Sequence, residues 1–392
     1  MYSVRFVDHC TDIPPSLWDA CFRPPREALW WYRALEGCGL EDQFTFFYGV
    51  IEQADGTGES RPVGIAPCFV ADVPLELVVP EALMFLFTIP AKLFPSLAHR
   101  RTLFVGSPCA DEGWVGVVDG VDRVAALLAV HDAAEAEARH RRAPMLVWKD
   151  IPQADKANLD QVRRQRRLFA LPSYPVAMLR FVGDSKEDYF AALKGSRRHQ
   201  LKKKLRTSRQ HFQATTEVLH APNAAQLDEI YALFQNTFER AEEKFERLNR
   251  RFFELLAAEP NVHFVLLREA ERGAAVAMMM CFEVGDLIIN KFVGFDYDRP
   301  KEWLLYFRLW EAALDWALSR GASGIQSGQT CYKPKLEQGH ALVPLFNYGR
   351  HANRLVHWIY GKVAATITWQ SLDKDLATFL EAYPELAEKS RP

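Results

Sequence analysis

The sequence predicts an α/β protein with two lobes, each formed by a mixed, mostly antiparallel sheet flanked by helices. Three observations lead to this fold class. The chain has 392 residues, about twice the length of an ordinary domain and enough for two cores. Apolar runs typical of strands alternate with segments of helical periodicity. The order of these elements in the first half recurs in the second half.

The first half begins with a strand at Ser3 to Val7 and two short helices that carry Trp18, Trp30 and Trp31. Two antiparallel strands then flank the turn-rich sequence DGTGES. A further strand, an alanine-rich helix, another strand and a basic helix complete this half. These elements, starting with the two antiparallel strands, are predicted at residues 44–52, 63–70, 102–105, 121–141, 144–148 and 153–169.

The second half repeats this order. The sequences PVGIAPCFVAD and AAVAMMMCFEVG occupy the same slot in the two halves, each as an apolar strand after a charged turn. We therefore predict lobes at residues 1–172 and 173–392, with a basic helix at 186–211 linking them. The other strands and helices of this half are predicted at residues 176–181, 214–219, 226–240, 249–258, 262–268, 274–284 and 287–295.

The stretch from Asn290 to Leu345 concentrates the features expected of a functional site. A strand ending at Phe295, a helix from Trp303 to Leu318 and a strand from Ser323 to Ser327 predict a right-handed crossover between parallel strands. Functional groups tend to gather at the carboxyl ends of such strands. The polar segment GQTCYKPKLEQG, with two lysines and a tyrosine, follows the second strand directly.

Composition places the chain among ordinary soluble globular proteins. Hydrophobic residues make up 49% of the chain, charged residues make up 25%, and the formal net charge is -2. Attraction to nucleic acid or acidic lipid must therefore come from local patches. The seven cysteines show no paired spacing, which argues against a disulfide framework or a zinc site and favours a reducing compartment. We expect no bound metal.

The N-terminus and the apolar segments indicate a cytoplasmic protein. The first residues, MYSVRFVDHC, lack the basic-then-apolar layout of a signal peptide. The most apolar window, Leu75 to Leu97, contains charged residues and three prolines, so it is too interrupted for a transmembrane helix. A buried irregular segment is favoured over a loop at a membrane surface.

A basic run without any acidic residue, LKGSRRHQLKKKLR, spans Leu193 to Arg206. Like charges so close on one helix repel, so we expect an anionic partner. The alternative is a solvated helix face with its leucines turned inward. Aromatic side chains of the kind that stack on bases are absent, so no DNA partner is expected. The candidate residues for binding a phosphate-bearing donor are Arg197, Arg198, Lys202, Lys203 and Arg206.

This basic helix and the C-terminal block together resemble the FemAB-like branch of the GNAT acyltransferase superfamily. In the C-terminal block the pattern is a helix, a small strand and then G-x-x-x-Y-x-x-K-x-x-x-G, formed here by Gly328, Tyr332, Lys335 and Gly339. The branch includes the peptidoglycan aminoacyltransferases and a broader set of bacterial N-acyltransferases. The resemblance covers most of the chain and implies two tandem GNAT-like lobes.

Two departures from the family pattern bear on the donor. The long helical-hairpin arm of some tRNA-using members is not evident, because the segment Glu239 to Arg251 is too short. The glycine-rich pyrophosphate loop of ordinary GNAT acetyltransferases is also missing, and DYDRPKEW stands where it would be expected.

The resemblance implies an N-acyltransferase that moves an acyl or aminoacyl group to the amine of a small molecule. The expected donor is a thioester co-substrate, either acyl-coenzyme A or the phosphopantetheine arm of an acyl or peptidyl carrier protein, with no tightly bound cofactor. Aminoacyl-tRNA is the second choice of donor. The acceptor would belong to specialised metabolism or to cell-wall precursor biosynthesis. The rival class is a non-catalytic protein that binds a phosphorylated ligand or a carrier protein.

Acyl transfer to an amine requires donors for a developing oxyanion and a group that takes the amine proton. Lys333 and Lys335 follow the strand end and are the candidates to stabilise the oxyanion, with Lys335 fitting the family spacing. Tyr332 is the candidate proton donor to the leaving group. The alternative is that the lysines are solvated residues of a surface turn. A cysteine nucleophile at Cys331 is disfavoured, because no histidine is nearby in sequence.

The candidate bases are carboxylates, although a base is not essential if the amine arrives neutral. Asp296 follows the central strand, and its alternative role is a turn aspartate before the sequence DRP. Glu239 and Glu243 lie in a charged helical stretch, where pairing with neighbouring cations is the alternative. With Asn290 and Gln329, these two glutamates complete the candidate substrate-binding residues.

Overall fold

The computed structural model describes residues 1–55, 58–74, 99–241, 246–270 and 273–383. The chain forms two compact units, and each unit contains segments that are distant in sequence. The first unit comprises Met1–Arg23, Gly39–Pro175 and the chain from Val343 onward. The second unit comprises Pro24–Cys38 and Val176–Leu342.

The described residues contain fifteen strands and thirteen α-helices. The strands are β1 (Tyr2–Val7), β2 (Thr45–Ala54), β3 (Ser60–Pro74), β4 (His99–Val105), β5 (Gly116–Val117), β6 (Met145–Pro152), β7 (Phe169–Pro172), β8 (Val176–Arg180), β9 (Ala214–Leu219), β10 (Val262–Glu269), β11 (Ala275–Val284), β12 (Leu287–Phe295), β13 (Gly324–Gln326), β14 (Ala341–Val343) and β15 (Leu345–His351). The helices are α1 (Pro15–Cys21), α2 (Leu29–Gly37), α3 (Arg123–His140), α4 (Gln153–Arg166), α5 (Lys186–Ala192), α6 (Gly195–His211), α7 (Ala224–Arg240), α8 (Arg250–Ala257), α9 (Leu305–Ser319), α10 (Tyr332–Glu337), α11 (Arg354–Ala364), α12 (Trp369–Leu372) and α13 (Lys374–Ala382).

Several helices begin at polar side chains that accept hydrogen bonds from the first-turn amides. The Asp122 carboxylate accepts from the Ala125 N–H at the start of α3, and Ser185 accepts from Asp188 at the start of α5. At the start of α7, Asn223 and Gln226 bond each other's main chain in a capping box. These contacts satisfy amides that have no partner within the helix, which fixes where each helix begins.

The first unit contains an eight-stranded sheet with the order β1-β2-β3-β4-β6-β15-β7, and β5 pairs with β3. Most neighbours are antiparallel, but β4 and β6 are parallel and α3 connects them. The helix covers the sheet through an alanine-rich face, and the core beneath it includes the fully buried Phe47, Leu103 and Trp148. Apolar burial of this extent is the main source of stability for the unit.

The second unit contains a seven-stranded sheet with the order β14-β8-β13-β12-β11-β10-β9. The strands β12 and β13 are parallel, with Leu287 to Ile289 opposite Gly324 to Gln326, and α9 connects them. The core beneath α9 includes the buried Trp310 and Met279. Each sheet therefore contains a parallel pair of strands connected by a helix, which confirms the repeated order and the predicted fold class.

The predicted contiguous lobes 1–172 and 173–392 differ from the two units in two segments. Strand β15 pairs with β6 and β7 of the first unit, so the C-terminal part of the chain returns to that unit. The α2 segment belongs to the second unit, where Trp31 packs against Phe252 and Phe282 at ring-centroid distances of 5.7 and 5.8 Å. Sheet hydrogen bonds and aromatic packing between distant segments produce this exchange, which sequence order does not reveal.

Two local predictions are corrected. The helix expected at 186–211 is two helices, because Leu193 and Lys194 are extended between α5 and α6 and the Leu193 side chain is buried. The helix expected at 153–169 ends at Arg166, with Arg167 in the left-handed region, and Phe169 begins β7. The segment YKPKLE, for which a surface turn was the alternative, forms the short helix α10.

Two further observations concern apolar segments. The window Leu75 to Leu97, predicted to be a buried irregular segment, lies outside the described residues. None of the helices in the described part of the chain combines the length and the hydropathy that crossing a bilayer requires.

Replacing Gly294 by alanine tests the packing of β12 against α7. An added methyl would lie 2.4 Å from the Leu233 carbonyl carbon and 2.5 Å from the Phe234 nitrogen, both main-chain atoms. We expect Gly294→Ala to lower the free energy of unfolding by about 1–3 kcal/mol, measured by urea denaturation. Gly195→Ala is the control, because its methyl meets nothing within 4 Å. Equal stability of the two variants would contradict the packing.

Candidate functional site

The parallel strands β12 and β13 part at their carboxyl ends. Their pairing stops at Ile289 and Gln326, while β12 continues to Phe295. The first residues beyond the paired stretch are Asn290 and Ser327, which are both buried. The Asn290 Nδ2 lies 3.4 Å from the Ser327 Oγ. Polar side chains therefore occupy the fork between the two strands, where ligands commonly bind in open α/β sheets.

A β-bulge lies at the same point. The register between β11 and β12 shifts between Met280 and Cys281, so that these two residues face Phe292 and Asn290. Lys291 is the extra residue between them. Bulges bend the strand and re-aim its side chains, and this one turns β12 at the fork. The bulge explains how Asn290 comes to face the fork.

A chain of four buried side chains runs through the fork. The Cys281 thiol lies 3.3 Å from Asn290 Oδ1, and Ser327 Oγ lies 2.9 Å from His340 Nε2. The other ring nitrogen, His340 Nδ1, lies 2.9 Å from the Lys335 carbonyl oxygen. Together with the contact between Asn290 and Ser327, these bonds join residues of β11, β12, the β13 end and the turn before β14.

The hydrogen bonds that link these four side chains can be assigned one consistent set of donors and acceptors. The Lys335 carbonyl can only accept, so His340 Nδ1 carries the ring proton and Nε2 accepts from the Ser327 hydroxyl. Ser327 Oγ then accepts from the Asn290 amide, and Asn290 Oδ1 accepts from the Cys281 thiol. Burial raises the pKa of that thiol, so it remains a protonated donor. Each of these four buried side chains therefore has a hydrogen-bond partner, as buried polar groups require.

His340 is held neutral. Its burial is the largest cause that lowers its pKa, to about 3, and the nearby Lys335 charge lowers it further. A protonated ring would place a second cation beside Lys335 in a buried site. His340 therefore serves as a fixed hydrogen-bonding link at neutral pH rather than as a proton acceptor.

Lys335 holds the loop that follows β13. Three residues of this loop, Gly328, Thr330 and Cys331, have positive φ values of 61°, 59° and 48°. Such a backbone is unfavourable for residues other than glycine. The Lys335 Nζ lies 2.8 Å from the carbonyl oxygens of both Gln329 and Thr330, and the residue is only 7% exposed. The buried ammonium group thus binds the strained turn to α10.

The glycines of the family pattern have direct structural reasons. Gly328 and Gly339 have φ values of 61° and 95°, in the left-handed region that favours glycine. Gly339 also lies so close to the Leu193 side chain that an added methyl would approach it to 2.5 Å. The pattern therefore describes a loop and a short helix packed against the junction of α5 and α6.

The predicted C-terminal candidates differ in accessibility. Lys333 is exposed on α10 and Gln329 is half-buried beside it, so both can be reached from solvent. Lys335 and Tyr332 are buried, and the Lys335 Nζ lies 5.9 Å from the centre of the Tyr332 ring. Full burial of Tyr332 disfavours its predicted role as a proton donor to a leaving group. Burial also rules out the alternative for Lys335, a solvated residue of a surface turn.

Of the candidate bases, the structure describes Asp296 and Glu239. Asp296 Oδ1 accepts from the Asp298 N–H at 3.0 Å and Oδ2 accepts from Arg299 at 2.8 Å, which is the geometry of a turn aspartate. Glu239 is exposed near the end of α7. Glu243 lies outside the described residues. The structure thus gives Asp296 the turn role that the sequence left open.

The basic helix α6 presents one buried and one exposed face. Leu201, Leu205 and Ser208 are buried, and Ser208 donates to the Trp303 carbonyl at 2.5 Å. A surface depression of about 360 Å³ lies along the other face and is lined by Gly195, Arg198, His199, Lys202, Lys203 and Arg206. The structure therefore brings together four of the five predicted donor-binding cations. The fifth, Arg197, is half-buried. Burial raises the pKa of Tyr189, and the positive charge of Arg197 opposes that rise.

Ion pairs and hydrogen bonds join α6 to the loop and helix of the fork. Lys204 pairs with Glu337 at the end of α10, and the Tyr189 hydroxyl of α5 donates to the Gln338 carbonyl at 2.7 Å. At the other end of α6, Arg209 pairs with the buried Glu311 of α9. The basic face and the fork therefore belong to one connected part of the second unit.

Sequence reasoning missed Ser327, His340 and Cys281. Ser327 was assigned only as the end of a strand, and His340 follows Gly339 with no spacing that predicts a contact across the fork. For Ser327, a polar residue at the end of a parallel strand is a weak sequence signal of a functional site. For His340 and Cys281, no signal in the sequence predicts a place in the site. Within the described residues, no group of three or more His, Cys, Asp or Glu side chains is arranged to hold a metal ion.

Replacing His340 by glutamine tests its burial in the neutral form. Unfolding exposes the ring, whose pKa returns to about 6.5, so between about pH 6.5 and pH 4 the unfolded chain binds a proton that the folded chain does not. The wild type then loses up to about 1.4 kcal/mol of stability per pH unit from this group. His340→Gln lacks this loss, so its stability deficit shrinks as the pH falls.

The measurement is urea unfolding at a series of pH values, with His199→Gln as a control because His199 is exposed on α6. That control is expected to follow the wild type at every pH. A deficit of His340→Gln that stays constant between about pH 6.5 and pH 4 would show that the ring titrates normally in the fold.

Comparisons with known proteins agree with this architecture. A family model for FemAB-like proteins, described as peptidoglycan biosynthesis and recognition, matches residues 182–365. Solved structures with a similar fold include FemX, with a TM-score of 0.55, 11% identity, and coverage of 91% of this chain and 100% of FemX. No curated protein sequence matches the chain.

Two further solved structures have a similar fold. A tandem GNAT protein from the clavulanic acid biosynthesis pathway has a TM-score of 0.50 and 11% identity, covering 90% of this chain and 98% of its own. L-PGS from Bacillus licheniformis has a TM-score of 0.50 and 11% identity, covering 84% and 96%. Residues 182–365 therefore match the FemAB-like family model, and the chain has the fold of these solved structures, with two mixed sheets flanked by helices.

Proposed function

We propose that this chain is an N-acyltransferase whose second unit moves an acyl or aminoacyl group from a thioester donor to the amine of a small molecule. The observation that carries the proposal is the connection of a basic helix face to the fork between two parallel strands. The FemAB-like match at residues 182–365 includes both features. The donor would be acyl-coenzyme A or the phosphopantetheine arm of a carrier protein.

The exposed face of α6 is suited to the phosphates of the donor. The helix carries seven lysine and arginine side chains and no carboxylate. Among the residues the structure describes, Lys203 and Arg206 make no ion pair, and both are exposed. Their uncompensated charge favours an anion at this face. The ion pair between Lys204 and Glu337 fixes this face relative to α10.

The loop at the fork would receive the reacting acyl group. Lys333 is exposed on α10 and is the group we propose to stabilise the oxyanion. Lys335 would act as a positioning residue, because its ammonium group is bound by the carbonyls of Gln329 and Thr330. The half-buried Gln329 and the buried Asn290 would contact the substrate at the end of the fork.

Within the described part of the chain, neither His340 nor Asp296 is placed to take the amine proton. His340 has a pKa of about 3, and Asp296 binds Arg299 and the Asp298 amide. We therefore propose that the amine attacks the thioester carbonyl in its neutral form and loses its proton to solvent after the bond to the acyl carbon has formed. The C–S bond of the thioester then breaks, and the donor leaves as a thiolate that takes a proton from solvent. The rate would then rise with pH until the acceptor amine is fully deprotonated.

Aminoacyl-tRNA is the second candidate donor. The family model that matches residues 182–365 is described by peptidoglycan biosynthesis and recognition, which favours an aminoacyl donor and a cell-wall precursor as acceptor. The basic face of α6 suits tRNA phosphates as well as coenzyme A phosphates. The two donors share the same acyl-transfer chemistry and differ in the carrier, so one panel of ligands separates them.

A thermal-shift panel with coenzyme A, acyl-coenzyme A, a loaded carrier protein and deacylated tRNA identifies the donor class. We expect one class to raise the melting temperature by about 2–4 °C at saturating concentration. Lys203→Glu with Arg206→Glu is expected to weaken that binding by about tenfold or more, because each change reverses a charge facing the phosphates.

The control variant carries Arg251→Glu and Lys374→Glu, which change the net charge equally at exposed positions on other helices. It is expected to bind the donor as the wild type does. A flat panel with all four ligands would contradict the proposed function. If both double variants lost the same amount of donor affinity, the cations of α6 would have no specific role in binding and α6 would be an ordinary solvated helix.

A further inference from the structure

We propose that helix α11 of the first unit docks on an anionic lipid surface. The inference is independent of acyl transfer and concerns a different unit of the chain. It rests on the outer face of α11, formed by Leu355, Trp358, Ile359 and Lys362. These residues are spaced three and four apart, so they lie on one side of the helix.

The outer face is apolar and exposed. Leu355 is 67% exposed, Trp358 is 60% exposed and Ile359 is 38% exposed. They are three of the large hydrophobic residues that the described part of the chain leaves most open to solvent. Three such residues on adjacent turns of one helix form a continuous apolar patch, which is a mark of an interaction site rather than of chance exposure.

The opposite, inner face of α11 packs against other residues of the first unit. His357 Nε2 lies 2.9 Å from the Arg167 carbonyl oxygen, and the rings of His357 and Tyr360 pack on Phe169 at centroid distances of 5.5 and 6.1 Å. Asn353 caps the helix by accepting from two first-turn amides. The inner face thus anchors α11 on the sheet, and the outer face does not contribute to that packing.

The charged residues of the segment that contains the patch are all of one sign. From Arg350 to Leu372 the sequence contains three lysine or arginine residues, two histidines and no carboxylate. The Lys362 ammonium lies 5.8 Å from the centre of the Trp358 ring, at the edge of the patch. An exposed helix with Trp, Leu and Ile on one side and cations at its border is typical of helices that lie in the interface of a bilayer.

The neighbouring end of α4 extends the positive surface. Arg164 and Arg167 are exposed there, and within the described residues they make no ion pair, as is also true of Arg354 and Lys362. The carboxylates of Asp132 and Glu135 are already paired with Arg166 and Arg350. Four cations are therefore available to an anionic surface, each worth roughly a fivefold gain in affinity near such a surface.

This charge distribution favours an anionic bilayer over a second copy of the chain as the partner of the patch. A second copy of the chain would bring like charges together across the interface, which opposes association. An anionic bilayer satisfies the apolar face and the cations at once, with the side chains of Leu355, Trp358 and Ile359 among the acyl chains and Arg354 and Lys362 at the phosphates.

The test is flotation of the purified full chain with two kinds of vesicle, phosphatidylcholine alone and phosphatidylcholine mixed with phosphatidylglycerol. We expect the wild type to partition at least about tenfold more strongly into the anionic vesicles, and less strongly as salt is added. The triple variant Leu355→Ser, Trp358→Ser and Ile359→Ser is expected to lose about tenfold or more of this partitioning, because its apolar face is removed.

Two more variants separate the contributions. The variant Arg354→Glu with Lys362→Glu keeps the apolar face and is expected to lose the preference for anionic vesicles. The matched control Val182→Ser with Val218→Ser removes exposed hydrophobic side chains of the second unit, at 64% and 38% exposure, and is expected to bind as the wild type does. All variants are expected to keep the wild-type melting temperature, since only exposed side chains change.

Three results would overturn the proposal. The first is a wild type that fails to float with anionic vesicles. The second is a triple variant that floats as well as the wild type. The third comes from light scattering: a wild-type dimer that the triple variant converts to a monomer, without any vesicle binding, would assign the outer face of α11 to a second copy.

Discussion

The arrangement of the second unit depends on one buried cation. The Lys335 ammonium group binds the carbonyl oxygens of Gln329 and Thr330 and so stabilises a turn in which Gly328, Thr330 and Cys331 all have positive φ. A buried ammonium group is costly unless it is fully hydrogen-bonded, so the turn and the lysine require each other. The His340 ring bonds the Lys335 carbonyl and connects this turn to Ser327 and the fork.

The fork and the basic helix are related through the same short helix. Strained backbone often occurs at functional sites, where surrounding contacts keep it in place. Here α10 carries Lys335, which stabilises the turn, and ends at Glu337, which pairs with Lys204 of the basic helix. A donor that binds the cations of α6 would therefore meet a site already shaped by hydrogen bonds, as acyl transfer by preorganised groups requires.

Much of the fold could be predicted from sequence because its elements have clear local patterns. The strand, helix and strand of each parallel pair, and the basic character of α6, follow from periodicity and charge. The return of β15 to the first unit could not be predicted, because it depends on pairing with β6 and β7 far earlier in the chain. Glycines and Lys335 were identified by resemblance, but burial decides whether a lysine contacts substrate or holds a turn, and burial is a tertiary property.

The central claim is that Lys335 holds the turn at residues 328–331. Amide hydrogen exchange of Lys335→Met, with Lys203→Met as the control at an exposed position of α6, tests it most directly, without knowledge of any substrate. We expect exchange in this turn to rise by about tenfold or more in Lys335→Met, because the carbonyls of Gln329 and Thr330 lose their donor. Lys203→Met should exchange as the wild type does. Unchanged exchange in Lys335→Met would contradict the account.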